Sequence, residues 1–230
     1  QKQKFDEVVL KELDLPVHKT ADLKDWKTFL TKYKNPKKTV NIALVGKYVS
    51  LQDSYKSIVE AFIHAGAHLE TEVKISWVYS GDLAADNLEK TFKEVDGILI
   101  APGFGDRGIE GKVLAAQYAR ENGIPLLGIC LGMQIMTIEF ARNVLGMKDA
   151  NSMEFDVNTS EPVISIMEDQ KNVVEKGGTM RLGAWKCTLR PESKLAKIYA
   201  SQDISERHRH RYEFNSEYQE VFEQNGMMTS

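Results

Sequence analysis

Two cysteines, Cys130 and Cys187, are all that 230 residues contain. That is too few for a disulfide scaffold and is typical of a reducing compartment, so the expected localisation is cytoplasmic. Six prolines and 16 glycines exclude a fibrous or low-complexity chain. Thirty lysines and arginines face 33 acidic residues. No basic field is therefore available for nucleic acid or an anionic membrane. No apolar run approaches the ~18 residues of a membrane span. The opening Gln1-Lys2-Gln3-Lys4-Phe5-Asp6-Glu7 has no apolar signal core. What remains is 42% hydrophobic and long enough to bury a core without disulfides or metals.

Residues 1–38 stand apart. They are lysine-rich, with one amphipathic segment, Leu23 to Tyr33, that carries Trp26, Phe29 and Leu30 on one face. Asn35-Pro36-Lys37-Lys38 breaks that pattern. The segment reads as a linker or the tail of a preceding domain, or as a decoration of the same domain. Residues 39–230 form the main domain.

Within it, apolar runs and helical spacing alternate. Strands are expected at Thr39 to Val45, Val73 to Tyr79, Gly97 to Ala101 and Pro125 to Cys130. Helices are expected at Ser54 to His64, Glu110 to Glu121 and Leu131 to Val144. This order predicts an α/β fold, an open and mostly parallel central sheet with helices on both faces. Ligand sites in such sheets form at the carboxyl ends of the strands. After Asn151 the pattern shifts to short strand-like runs, Pro162 to Met167 and Met180 to Leu189. Helices follow at Glu192 to Ala200 and Glu217 to Gln224.

The sharpest chemical signal is Gly128-Ile129-Cys130-Leu131-Gly132-Met133-Gln134. A strand precedes it and a helix follows it, the pattern of a nucleophile elbow with Cys in place of Ser. The flanking glycines remove Cβ atoms that a tight strand-to-helix turn cannot hold. The helix N-terminus favours a thiolate on Cys130, and the Leu131 N–H is placed to hold an oxyanion. A buried structural cysteine between two packing glycines is the plain alternative. Ala101-Pro102-Gly103-Phe104-Gly105-Asp106-Arg107-Gly108 follows a neighbouring strand, and Gly103 can supply the second N–H. This loop lacks the Gly-Lys-Ser/Thr ending of a phosphate loop.

Arg207-His208-Arg209-His210-Arg211 alternates. As a strand it places three guanidiniums on one face, a receiver for carboxylate or phosphate. Arg207 reads better as a solvated charge. No third ligand accompanies His208 and His210, so no metal site is assigned.

On these residues the chain resembles the class I, triad-type glutamine amidotransferases and their flavodoxin-like fold. Further segments narrow the resemblance to the glutaminase domain of the CTP synthases. They are Gly46-Lys47-Tyr48, Gly103 to Gly108, Asn151-Ser152-Met153-Glu154-Phe155, Gly177 to Gly183 and Glu206 to Glu213. The resemblance implies that Cys130 attacks the side-chain amide of L-glutamine, while Gly103 and Leu131 hold the oxyanion. It places Gly103, Leu131, Gly132, Met133, Gln134, Glu154 and Arg211 around glutamine, with Glu154 on the ammonium and Arg211 on the carboxylate. It implies no cofactor in this domain. A synthetase domain would use ATP and Mg to turn UTP into CTP with the ammonia released here. GTP would activate the glutaminase step beside Phe104 and Arg107, and the full-length enzyme would be a homotetramer.

Two departures qualify this. Pro102 stands where the family's first loop glycine falls, and proline has no N–H, so the loop's oxyanion role rests on Gly103. The family's His-Pro-Glu lies downstream of the position matching Arg211, and none occurs in these 230 residues. His208 and His210 do not replace it, since the family carries them besides its catalytic histidine. The expectation is that the base and the last strands lie outside this polypeptide. This chain alone should then turn glutamine over negligibly. The competing readings are another elbow cysteine hydrolase, of the γ-glutamyl hydrolase or cysteine protease type, and a non-enzymatic nucleotide-binding module. Cys187 follows the Gly-rich segment and reads as structural.

Overall fold

Pro36 ends the first helical stretch, and the β-branched run behind it opens the central sheet. The structure, a computed structural model, describes residues 3–17, 22–167, 170 and 180–230. The start of the Gly-rich segment, Gly177-Gly178-Thr179, lies outside the described residues. The chain divides into two units, residues 1–39 with 60–72, and residues 40–59 with 73–230.

The smaller unit holds helix α1 (Phe5–Glu12), α2 (Lys24–Lys34) and most of α3 (Lys56–His68). On α2 the expected apolar face forms a ring stack. Trp26 and Phe29 lie 5.3 Å apart, Phe29 and Tyr33 6.2 Å, and Phe29 meets His64 of α3 at 5.2 Å. Lys37 donates to Glu70 at 2.6 Å. Helix α1 buries none of its residues.

In the larger unit, strands β1 (Lys38–Gly46), β2 (Thr71–Tyr79), β3 (Gly97–Ile100) and β4 (Leu126–Gly128) form one sheet in the order β2-β1-β3-β4. The pairs β1/β3 and β3/β4 are parallel, with Ile42 opposite Gly97 and Ile100 opposite Gly128. Ala43, Leu44, Val45 and all of β3 are buried, which is why these runs are continuously apolar. Three parallel strands therefore end on one edge, at Gly46, Ile100 and Gly128. The strand expected at Pro125 to Cys130 is shorter, because the chain leaves extended geometry at Cys130 to enter the next helix.

Helix α4 (Leu88–Phe92) is short. Helices α5 (Ile109–Glu121) and α6 (Leu131–Asn143) are the long ones beside β3 and β4. Their apolar faces join Ile98 and Ile100 in the core through Val113, Ala116, Ile135 and Ile138. Arg120 of α5 clasps the buried Glu139 of α6 at 3.0 and 3.2 Å, and Asn143 adds a third bond at 3.1 Å.

The second half carries the expected extra strands. β5 (Ala150–Ser152) and β6 (Glu161–Ile166) pair in parallel. β7 (Arg181–Thr188) and β8 (Asp203–His210) form an antiparallel ribbon around helix α7 (Lys194–Tyr199). β9 (Tyr212–Phe214) then pairs antiparallel with β6, and α8 (Gln219–Gln224) follows. Phe222 of α8 is buried between Phe140 and Phe214, at 5.5 and 5.2 Å. Among the described residues no helix is long and apolar enough to cross a membrane.

Candidate active site

Between β4 and α6 the chain turns within one residue. Cys130 holds it there at φ 57° and ψ −107°, a conformation that costs a non-glycine residue about 1–3 kcal/mol. Its neighbours explain the two glycines. A Cβ on Gly128 would lie 2.4 Å from the Gly132 backbone, and one on Gly132 would lie 2.3 Å from the Ile100 carbonyl oxygen. Helix α6 thus starts against the backbone of β3, and the Cys130 carbonyl accepts its first bond, from Met133 N–H at 3.0 Å. The backbone N–H groups of Leu131 and Gly103 lie close enough to the cysteine sulfur to favour its ionised form. Both groups named from sequence as oxyanion donors thus stand near the sulfur.

A cavity of about 340 Å³ opens over this sulfur. Gly103, Phe104, Gly105, Cys130, Gln134 and Glu154 line one part, and Met180, His210, Arg211 and Tyr212 line the rest. Gln134 is buried and its Oε1 accepts from Ser152 Oγ at 3.2 Å. The same hydroxyl accepts from Glu154 N–H at 3.2 Å, so α6 and the turn after β5 are locked together under the cavity. Glu154 accepts from Gly105 N–H at 3.1 Å. Arg211 is buried and donates to Gln170 at 3.0 Å. An acid, a guanidinium and a thiol thus face one space with room for an amino acid.

Arg211 reaches this place by a route the alternation did not foresee. The strand breaks there, because β8 pairs with β7 while β9 pairs with β6. Arg207 and Arg209 remain exposed on the ribbon, so the three guanidiniums do not form one face. His208 and His210 meet edge to face at 5.3 Å. Among the described residues no group of three such side chains could hold a metal. Burial, with His208 and Arg181 nearby, holds the His210 imidazole below its usual pKa. No hydrogen bond among the described residues joins it to Cys130. Of the remaining assigned residues, Gly132 and Met133 do not line the cavity, and Met133 is exposed. Arg107 lies outside the cavity with its guanidinium 5.5 Å from the Tyr48 ring, and Arg209 stands 5.8 Å from the Phe104 ring.

Burial pushes the Cys130 thiol above its usual pKa. The Leu131 N–H opposes that rise, Glu154 adds to it, and Gly103 N–H and Lys112 pull it down. Lys112 was not singled out from sequence, because a helix lysine ordinarily faces solvent. It is fully buried in the first turns of α5. Burial, reinforced by Lys47, lowers its pKa to about 8, and Cys130 acts in the opposite direction. Lys47 donates to the Phe104 carbonyl and so ties the end of β1 to the loop after β3.

A thiol on a strained strand-to-helix turn, with two backbone N–H groups near it, is an arrangement suited to cysteine-dependent acyl transfer. The family profile "Glutamine amidotransferase class-I" matches residues 50–228, and the chain belongs to that family. It is 60% identical over 226 residues to a CTP synthase of Flavobacterium psychrophilum, covering 98% of this chain and 42% of the relative. It is 59% identical over 230 residues to a CTP synthase of Cytophaga hutchinsonii, covering 100% and 43%. The chain thus spans less than half the length of these relatives. A solved structure, the glutaminase domain of Trypanosoma brucei CTPS with bound acivicin, superposes with a TM-score of 0.75 at 42% identity. The match covers 81% of this chain and 72% of that one.

Proposed function

We propose that this chain is the glutaminase part of a CTP synthase and that Cys130 is its nucleophile. The observation that carries the reading is the elbow itself, Cys130 held at positive φ between two glycines with no room for a Cβ and with the Leu131 and Gly103 N–H groups near its sulfur. The relatives supply the particular enzyme, and the cavity supplies the substrate class. Glu154 suits the α-ammonium of glutamine by charge, and Arg211 suits the α-carboxylate. Gln134 lines the same cavity as a neutral hydrogen-bonding group.

The thiol passes its proton to a general base, a role assigned to no described residue of this chain, and the sulfur attacks the side-chain amide carbon of glutamine. The carbonyl electron pair moves onto oxygen, where the Gly103 and Leu131 N–H groups receive it. Collapse breaks the C–N bond, and nitrogen takes a proton and leaves as ammonia. Water then adds to the glutamyl thioester, releasing glutamate and restoring the thiol. In the whole enzyme the ammonia passes to a synthetase domain, which uses ATP and Mg to convert UTP to CTP. No residue of this chain is assigned to ATP or Mg. The lysine-rich residues 1–38 serve as the connection to that domain, and the whole enzyme assembles as a tetramer in the cytoplasm.

GTP is the proposed activator. Support comes from the cation–ring pairs Arg107–Tyr48 and Arg209–Phe104, the Phe104 ring lining the cavity, which offer aromatic surface next to positive charge.

Equilibrium binding of glutamine to a Cys130→Ser variant tests the substrate assignment. Glutamine is expected to bind, and Arg211→Met is expected to weaken it at least about tenfold through loss of a charge-assisted pair. Equal binding by the two proteins would remove Arg211 from the site.

A further inference from the structure

Lys112 presents a cost without an evident return. Its side chain is fully buried, and its Nζ has no hydrogen-bond partner among the described residues. A buried ammonium that lacks an anion is strongly unfavourable. Its surroundings make matters worse. The Nζ lies 4.0 Å from where a Cβ on Gly103 would stand, and the Lys47 side chain reaches 3.5 Å of the same point. Two lysine side chains thus approach the loop at Gly103, one from the end of β1 and one from α5. The group that couples to it in the favourable sense is the Cys130 thiol, whose ionised form and the Lys112 ammonium favour one another.

We propose that Lys112 is an electrostatic positioning residue of the Cys130 centre. Its buried ammonium is the standing countercharge for the thiolate and for the oxyanion formed next to Gly103. The resting protein carries the positive charge unpaired, and the missing anion is the one the reaction creates. An interaction that is absent in the resting state and present at the charged stage lowers the barrier instead of deepening the ground state. Lys47 is already engaged by the Phe104 carbonyl, so it holds the loop while Lys112 supplies the field. Glu154 opposes this field at the sulfur. Binding of a glutamine ammonium would neutralise that opposition and leave Lys112 dominant. This last role rests on the glutaminase reading, whereas the effect on the thiol does not.

The test is the rate at which iodoacetamide alkylates Cys130, followed from mildly acid to mildly alkaline pH in a Cys187→Ser background. The thiolate displaces iodide, so the rate reports ionisation and needs no glutamine. Lys112→Met is expected to move the midpoint upward and to slow alkylation about tenfold at neutral pH. Lys112→Arg is expected to restore most of the rate, which a purely packing role would not produce. Coincident profiles for Lys112→Met and the parent would overturn the proposal. Should the methionine variant not fold, the parent protein itself answers. The 15N resonance of Lys112 Nζ is titrated before and after carbamidomethylation of Cys130. Its midpoint must fall once the thiolate is gone, and an unmoved midpoint refutes the pairing. Failure of the glutaminase reading looks different, since glutamine binding would be lost while the alkylation shift persisted.

Discussion

At the scale of single residues, the site depends on close backbone approach and on one misplaced charge. Gly132→Ala would drive a Cβ to 2.3 Å from the Ile100 carbonyl oxygen, so β3 and α6 must separate. The expected loss is about 2–4 kcal/mol in denaturant unfolding, the range of a backbone clash in a packed core. Lys112 gives the opposite sign. Its pKa is lowered to about 8 in the folded chain, against ~10.4 when unfolded. Below pH 8 both states are protonated and the folded state bears the full burial cost. As pH rises from 8 towards the unfolded value, only the unfolded state keeps the proton, so stability increases. Lys112→Met should therefore be more stable than the parent by up to about 3 kcal/mol at neutral pH. The difference should shrink through that window and vanish above it. A variant that is more stable yet less reactive separates a functional charge from a structural one. Cys130, Gly128 and Gly132 were legible in the sequence because the elbow imposes residue types at fixed spacing. Lys112 was not, because its helical position carries no mark of burial except in three dimensions.

At the scale of elements, α5 and α6 are joined by the Arg120–Glu139 clasp as well as by apolar contact. Glu139 is almost wholly buried, while a third of the Arg120 side chain is exposed. Glu139→Ala is expected to cost roughly 1–3 kcal/mol, below the figure for a fully buried pair because water screens the arginine. Thermal unfolding measures it. These helices and strands β1 and β3 could be read in advance because each buries a continuous or periodic apolar face. Helix α1 could not, since it buries nothing, nor could α4, only five residues long. The β8–β9 junction escaped for a different reason. Alternation predicts which face a residue takes within one strand, but it says nothing of a strand that changes sheets at Arg211. That change turns one arginine of the three into the cavity.

At the scale of the whole molecule, the site gathers chain segments from Gly103 to Tyr212. Parallel pairing brings the loop after β3 and the end of β4 together. The turn after β5 and the β8–β9 junction then close over them. Helix α1 has no buried residue, so deletion of residues 1–17 should leave unfolding within about 0.5 kcal/mol of the parent and leave Cys130 reactivity unchanged. The central claim is that Cys130 is the nucleophile of an assembled glutamine pocket. Its most direct test is intact mass and peptide mapping after exposure to acivicin, with and without excess glutamine. One adduct is expected, on Cys130, suppressed by glutamine and absent from Cys130→Ser. An adduct on Cys187, or one on Cys130 that glutamine fails to suppress, would contradict it.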